Sequence, residues 1–375
     1  MKKVKISDVC EVIAGQSPPS STYNTTGMGI PFFQGKTDFG YLYPTVKNWC
    51  NAPQKIALPN DILISVRAPV GPTNINYEKS CIGRGLSAIR CSEKIDTKFL
   101  LYYLRSIETK IAENANGSTF SAITQKDLLK IQIPLIPLST QKKISAILDA
   151  ADVYRQKTKT LIEKYDQLAQ SLFLDMFGDP VTNEKGWEKT ATINYCSCIV
   201  PGRDKPKSFT GDIPWVTTGD LNHLGFTEKS ISNIALSKSE IAVVKAKIIP
   251  KGSVIMTCVG DLGIISINSN PIVINQQLHA FLCSERINNL FLMYNLSHQT
   301  FYMHRMASST TVPYMNKTIA NNTPTIVPPI TLQNQFAERI QLIDQQKQQA
   351  QASLQKAEDL FNSLLQKAFK GELVM

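Results

Sequence analysis

Apolar residues recur along two stretches of this chain at alternating steps of three and four. In the first, Ile144, Ile147, Ala151, Tyr154, Thr158, Leu161, Tyr165, Leu168 and Leu172 hold that spacing. In the second, Phe336, Ile340, Ile343, Lys347, Ala350, Leu354, Ala357, Phe361, Leu364 and Ala368 do. A mean repeat of 3.5 lays one apolar stripe along one face of a helix. Thr158 interrupts the first stripe and Lys347 the second. Facing one another they would fix a register; solvated, they would be incidental. Ser139-Thr140 after Pro137 and Gly178-Asp179-Pro180 punctuate the ends of the first helix, as Thr331 after Pro328-Pro329 and Gly371 do for the second. A lone stripe would stay wet, so the two bury most economically against each other, antiparallel because a globular segment separates them. The predicted interface sets Ile144, Ile147, Tyr154, Leu161, Leu168 and Leu172 against Ile340, Ile343, Leu354, Phe361 and Leu364.

Outside these stretches the period changes. Asp61-Ile62-Leu63-Ile64-Ser65-Val66 and Ser253-Val254-Ile255-Met256-Thr257 are β-branched runs of strand length, and the segments at Phe99 and Phe291 read as short helices. These pairs belong to an internal repeat. Phe99-Leu100-Leu101-Tyr102 returns as Phe291-Leu292-Met293-Tyr294 at an offset of 192, which also maps Leu86, Ala88, Cys91, Pro137 and Gln141 onto Leu278, Ala280, Cys283, Pro329 and Gln333. Nearer the start the register drifts, and Ile30-Pro31-Phe32 answers Ile213-Pro214-Trp215. The expected architecture is α+β: two pseudo-repeated mixed α/β lobes, 1–138 and 179–331, separated by long helices over 139–178 and 332–375 that form an antiparallel coiled coil.

With 375 residues, 43% of them apolar and 19% charged, the chain reads as an ordinary folded protein and not as a collagen, a disordered tail or a disulfide knot. No long uncharged apolar run predicts a membrane span, so a soluble cytoplasmic protein with no membrane partner is expected. The eight cysteines form no C-x-x-C pair, and Cys196-Ser197-Cys198 reads as two thiols of a reduced protein. The net charge is +10, and by segment it runs +6, +1, +3 and 0, so the excess sits in the lobes. A basic lobe draws polyanions, which makes nucleic acid the first partner to consider. The 29 residues from Ile144 to Leu172 would span about 43 Å, near the ~34–36 Å of one duplex turn.

Catalytic motifs fail. Gly29 to Lys36-Thr37 has five residues between its glycines where a phosphate loop needs four, and an Ile-Pro-Phe-Phe strand fills the gap. Asn270-Pro271-Ile272 lacks the second proline and aromatic of an adenine methyltransferase loop, and no metal, nucleophile-elbow or dinucleotide motif appears. Candidate DNA readers are polar and cationic residues on loops beside the strands, because Arg and Lys pair with guanine and Asn and Gln with adenine. In the first lobe these are Gln34, Lys36, Asp38, Arg67 and Arg84, with Ser118 and Thr119 in a turn suited to phosphate. In the second they are Thr217, Thr218, Asp220, Asn222, Gln276 and Gln277, with Ser309 and Thr310 matching Ser118 and Thr119. For each the competing reading is a solvated loop residue. Phe32, Phe33 and Trp215 are expected in the core.

The double layout resembles the specificity subunit of type I restriction-modification systems. The phrases that carry the likeness are Pro137-Leu138-Ser139-Thr140-Gln141 running into Ile147-Leu148-Asp149-Ala150-Ala151-Asp152, Gln170 to Pro180, Leu332-Gln333-Asn334-Gln335-Phe336-Ala337, and Ser363 to Leu373. The resemblance implies two target recognition domains that each read half of a split, asymmetric DNA target, with the helices as a spacer ruler. It implies no catalysis here. Two methyltransferase subunits would bring S-adenosylmethionine and methylate adenine at N6, and a restriction subunit would bring ATP and Mg. The alternative is a non-catalytic coiled-coil bridge whose lobes bind another ligand, or an enzyme of unrecognised site.

Overall fold

A computed structural model describes residues 2–113, 122–202, 204–308 and 312–373. The chain divides into two compact units, residues 1–158 with 353–375, and residues 159–352. The units therefore cut across both long helices, where the sequence pattern had drawn four successive segments.

In the first unit a four-stranded antiparallel sheet has the order β1 (Cys10–Ala14), β6 (Leu86–Cys91), β3 (Ile62–Ser65), β4 (Thr73–Ile75). A smaller sheet places β2 (Ile30–Phe33) parallel to β5 (Ser80–Ile82), pairing Phe32 with Cys81. Lys3–Lys5 pairs with Gln132–Pro134, so the start of the lobe is tied to the segment that precedes the long helix. Helix α1 (Thr97–Ser106) opens on Asp96, whose carboxylate accepts the Phe99 amide.

The second unit repeats this plan. Its main sheet runs β7 (Cys196–Ile199), β12 (Leu278–Cys283), β9 (Val254–Thr257), β10 (Ile265–Asn268), then Phe226–Thr227. In its smaller sheet β8 (Ile213–Val216) is parallel to β11 (Ile272–Ile274), with Trp215 opposite Val273. Helix α3 (Asn289–Ser297) opens on Asn288 as α1 does on Asp96. Phe32, Phe33 and Trp215 are all buried.

The long helices are α2 (Leu138–Phe177) and α4 (Ile330–Lys370), of 40 and 41 residues. Gly178 and Gly371 follow their last turns at positive φ, 74° and 87°, where a side chain would be strained. Each unit holds one segment of each helix, packed antiparallel against its own lobe. In the first unit Ile144 and Leu148 of α2 join Phe361 and Ala368 of α4 in the lobe core, with Phe369 5.4 Å from Phe99 and Phe361 6.0 Å from Tyr102. In the second, Phe173 and Phe177 of α2 meet Phe336 of α4 at 5.6 and 5.4 Å, and both reach Phe291. Full burial of each such ring contributes about 1.5–3 kcal/mol.

Two buried glutamines weld helix to lobe in the same manner. Gln141 accepts the Asp96 amide at 2.8 Å and donates to the carbonyls of Lys94 and Ile136 at 3.0 and 2.8 Å. Gln333 accepts the Asn288 amide at 2.9 Å and donates to the Pro328 carbonyl at 2.7 Å.

The buried line of α4 follows the expected seam, with Phe336, Ile340, Ala350, Ala357, Phe361 and Ala368 buried and Ile343, Leu354 and Leu364 half-buried. That of α2 departs from it. Ile144 is buried and Leu172 half-buried, but Ile147, Tyr154, Leu161 and Leu168 remain 38, 53, 42 and 50% exposed. Leu148, Asp152, Ala169, Phe173 and Phe177 are buried in their place. The reason is that α2 covers its lobes as well as its partner helix, and lobe contacts recur at four-residue steps on a neighbouring face. Asp152 is tolerated in this line because Tyr41 and Arg155, the latter at 2.6 Å, both donate to its Oδ1, while the Arg155 guanidinium lies 4.3 Å over the Phe361 ring. The Tyr154 hydroxyl reaches α4, 2.8 Å from that of Ser353. Thr158 donates back to the Tyr154 carbonyl at 2.9 Å, and Lys347 donates to Asp166 at 2.5 Å.

Candidate nucleic-acid interface

In the first unit three loops converge beside the smaller sheet. Strand β2 ends at Phe33, Gln34 follows it, and a single turn of 3₁₀-helix runs over Lys36–Asp38. Strand β3 leads to Arg67, and the tight link from β5 to β6 carries Arg84-Gly85. Gly85 passes so close to β2 that an added Cβ would stand 2.3 Å from the Gln34 carbonyl oxygen, which excludes any larger residue. The loops enclose an open cleft of about 560 Å³ lined by Ser17, Tyr23, Gln34, Lys36, Arg67 and Arg84 among others, and among the described residues no Asp or Glu is in its lining. Gln34, Lys36, Arg67 and Arg84 are exposed. Elsewhere in the unit Arg90 bridges Asp61 and Glu11 at 2.9 and 3.1 Å, and Lys98 bridges Asp149 at 2.5 Å. Three cations around a concavity without a lining carboxylate form a site for an anion or for the acceptor edge of guanine.

Asp38 is not a reader. It is buried, and its carboxylate accepts the amides of Gln34 and Gly35 at 2.6 and 3.4 Å, shaping the turn that presents Lys36. Asp220 has the same task in the second unit, where it takes the amides of Thr217 and Ile231 at 2.7 Å each and the hydroxyls of Thr217 and Ser230. Burial pushes the Asp220 carboxyl up, and these donors more than offset it, leaving it below the ordinary range. Thr217 is thereby spent on Asp220. Both aspartates follow a strand, as a reader would; that they close the turn is a local geometry that residue type leaves open.

The remaining candidates of the second unit are neutral. Thr218 donates to Gln277 at 3.4 Å, Asn275 donates to the same oxygen at 3.1 Å, and Gln276 donates to the Gly202 carbonyl at 3.3 Å. Asn222 is exposed and its amide group reaches the Phe226 carbonyl at 3.5 Å. The isolated bridge of Arg67 to Ala122 returns as Val259 to Tyr314 at the same offset of 192. Position by position, Lys36, Arg67 and Arg84 of the first lobe answer to Thr218, Val259 and Gln276 of the second. The basic groups there lie apart, with Lys205 and Lys207 beside Ser208, Ser239 and Glu240 in a second cleft of about 510 Å³. Sequence reasoning passed over these two lysines; the proline between them, which keeps the segment extended, was the available signal. It also missed Ser17 and Tyr23, whose ring lies 4.4 Å from Phe32. Ser118, Thr119, Ser309 and Thr310 lie outside the described residues. Among those described, no three His, Cys, Asp or Glu side chains gather to hold a metal, and no helix is long and apolar enough to cross a membrane.

The family model of the type I restriction modification DNA specificity domain matches residues 1–165 and 200–358. The putative type I restriction enzyme MjaX specificity subunit of Methanocaldococcus jannaschii is 49% identical over 168 residues, 44% of this chain and 40% of that protein. The match thus spans two fifths of that relative's length. The MjaIX specificity subunit of the same organism is 24% identical over 98% of this chain and 92% of its own. In fold, the crystal structure of the type I restriction-modification S subunit from M. genitalium aligns over 98% of this chain and 96% of that one, with a TM-score of 0.63 at 17% identity.

Proposed function

This chain belongs to the family of type I restriction modification DNA specificity domains, and from that premise we propose that it is the sequence-reading subunit of a type I restriction-modification complex. Each lobe reads one half of a bipartite, asymmetric target in double-stranded DNA. The observation that carries this reading is the carboxylate-free cationic cleft of the first lobe, set in a duplicated fold whose second copy is neutral at the same positions. One scaffold with two chemistries is what an asymmetric target needs, since guanidinium groups favour guanine and amides favour adenine.

We assign the spacer to the long helices. Each is unbroken over 40 or 41 residues, about 60 Å at ~1.5 Å per residue. Ile147, Tyr154, Leu161 and Leu168, exposed at seven-residue intervals along α2, are the apolar line we assign to the docking of two modification subunits. Chemistry belongs to the partners: S-adenosylmethionine on the modification subunits for methylation of adenine N6, ATP and Mg on the restriction subunit. This chain supplies choice of site and assembly, in the cytoplasm with the DNA it reads, and no catalytic residue.

The test is co-expression with a type I modification subunit and mapping of N6-methyladenine across host DNA. Methylation confined to one split motif with a constant gap supports the reading. Methylation at a continuous motif, or none that depends on this chain, refutes it.

A further inference from the structure

The eight cysteines are no part of the DNA-reading surface, yet two pairs of them sit in matching places in the two lobes. In the first lobe Cys10 of β1 stands directly opposite Cys91 of β6, and in the second Cys196 of β7 stands opposite Cys283 of β12. The adjoining hydrogen bonds fix what kind of position this is. The amide of Ser92 donates to the Val9 carbonyl and that of Ser284 to the Tyr195 carbonyl, both at 3.0 Å. In an antiparallel ladder the bonded and non-bonded pairs alternate, so the cysteines occupy the non-bonded pair in both lobes. That is where Cα atoms come to about 4.5 Å and side chains lie closest, inside the range of roughly 4.4–6.8 Å that a disulfide spans.

Access separates these pairs from the rest. Cys91 and Cys283 are the only two of the eight that are partly exposed, and Cys283 lines an open cleft of about 500 Å³. Cys50, Cys81, Cys198 and Cys258 are buried in the cores. We propose that each lobe carries a cross-strand thiol pair, Cys10 with Cys91 and Cys196 with Cys283, that a small disulfide oxidant such as oxidised glutathione converts to a disulfide.

The exchange balances. The thiolate of Cys91 attacks one sulfur of oxidised glutathione and expels the first glutathione thiolate. Cys10 then attacks the mixed disulfide and expels the second, so two protein thiols are oxidised, one disulfide is reduced, and both leaving thiolates take up the protons. The Cys10 thiol, donating to Cys91, holds that sulfur below the usual thiol range, which favours Cys91 as the attacking partner. Cys283 is the corresponding exposed member in the second lobe.

The staple would join the first strand of each sheet to the strand that leads into the Asp96 or Asn288 turn, and through Gln141 or Gln333 to the long helix. It lies five residues along β6 from Leu86, beside the reading cleft, about 17 Å at ~3.3 Å per residue. DNA affinity is therefore expected to stay within twofold on oxidation, while the midpoint of thermal unfolding rises.

The experiment treats the full chain with oxidised glutathione, alkylates it under denaturing conditions with iodoacetamide, and counts labels by intact mass with peptide mapping of the links. The eight labels of the reduced chain are expected to fall to four, with links only at Cys10–Cys91 and Cys196–Cys283. Cys91→Ser should retain five labels, and Cys91→Ser with Cys283→Ser all six that remain. Eight labels in the oxidised natural chain, or links at Cys50–Cys81 or Cys198–Cys258 instead, overturn the proposal. The map on the natural chain decides this even if a serine variant folds poorly.

Discussion

Replacing Lys36, Arg67 and Arg84 together by alanine removes the three cations that line the first cleft and leaves its turn intact, because the turn is held by Asp38 and by Gly85. Each cation that neutralises a phosphate contributes about 0.9 to the slope of log affinity against log salt, so losing three lowers that slope by about 2.7. A rise from ~50 to ~200 mM salt is about 0.6 log units, and the natural chain should therefore lose roughly 40-fold more affinity over that range than the variant. Where one of the three reads guanine, the half-site of the first lobe also loses about 1–3 kcal/mol of preference per contact. The assay is fluorescence anisotropy on a duplex carrying the methylated motif, titrated with the reconstituted complex at several salt concentrations. The control is Thr218→Ala with Gln276→Ala at the matching positions of the second lobe, which removes no charge. That variant should lose affinity by the same factor at every salt concentration. An unchanged slope in the triple variant would show that the cleft does not face DNA, and a change of slope in the control would show that the two lobes do not differ as their side chains imply.

Gln141→Ala strands a buried amide and two carbonyls, so a loss of about 2–4 kcal/mol is expected in urea unfolding, against under ~1 kcal/mol for the exposed Gln348→Ala. Phe173→Ala empties the centre of the aromatic cluster in the second unit and should cost about 3–5 kcal/mol by the same measurement. His279 is buried in β12 with its Nδ1 unpartnered, and burial pushes its imidazole down to about 4. The unfolded chain takes up that proton near pH 6.5, so stability falls as pH drops from about 6.5 toward 4, by up to about 3 kcal/mol, and His279→Gln should flatten that slope. A natural chain whose stability is level across that window would refute the assignment. Inserting four residues near Thr158 lengthens α2 by about 6 Å and should change the accepted gap while both half-site words persist; altered words with an unchanged gap would contradict the ruler.

Much of this fold was legible in the sequence because its strongest signals are periodic and occur twice. The offset of 192 that links Phe99 with Phe291 and Gln141 with Gln333 became the same helix and the same buried amide in both units. The seam of α4 was legible for a related reason: one apolar stripe serves both lobe and partner helix. On α2 two stripes compete on adjacent faces, and spacing alone cannot say which is buried, since Ile147 and Leu148 both fit an apolar face. The structure decides through tertiary partners such as Tyr41 for Asp152, from more than a hundred residues away.

At the interface the limit is of another kind. Type and position relative to a strand were enough to choose Lys36, Arg67 and Arg84, but the same rule chose Asp38 and Asp220. A carboxylate two residues into a turn has strong backbone donors within reach, and satisfying them closes the turn before any base arrives. Lys36, Arg67 and Arg84 instead are exposed on the cleft. Exposure thus sets the proposed readers Lys36, Arg67 and Arg84 apart from the two aspartates that close the turns, and the proposed reading predicts where target choice can drift. Substitutions at Lys36, Arg67 and Arg84, or at Thr218, Val259 and Gln276, alter what a lobe reads without unfolding it, whereas changes at Asp38 or Asp220 reshape the loop and cost the lobe its reading altogether.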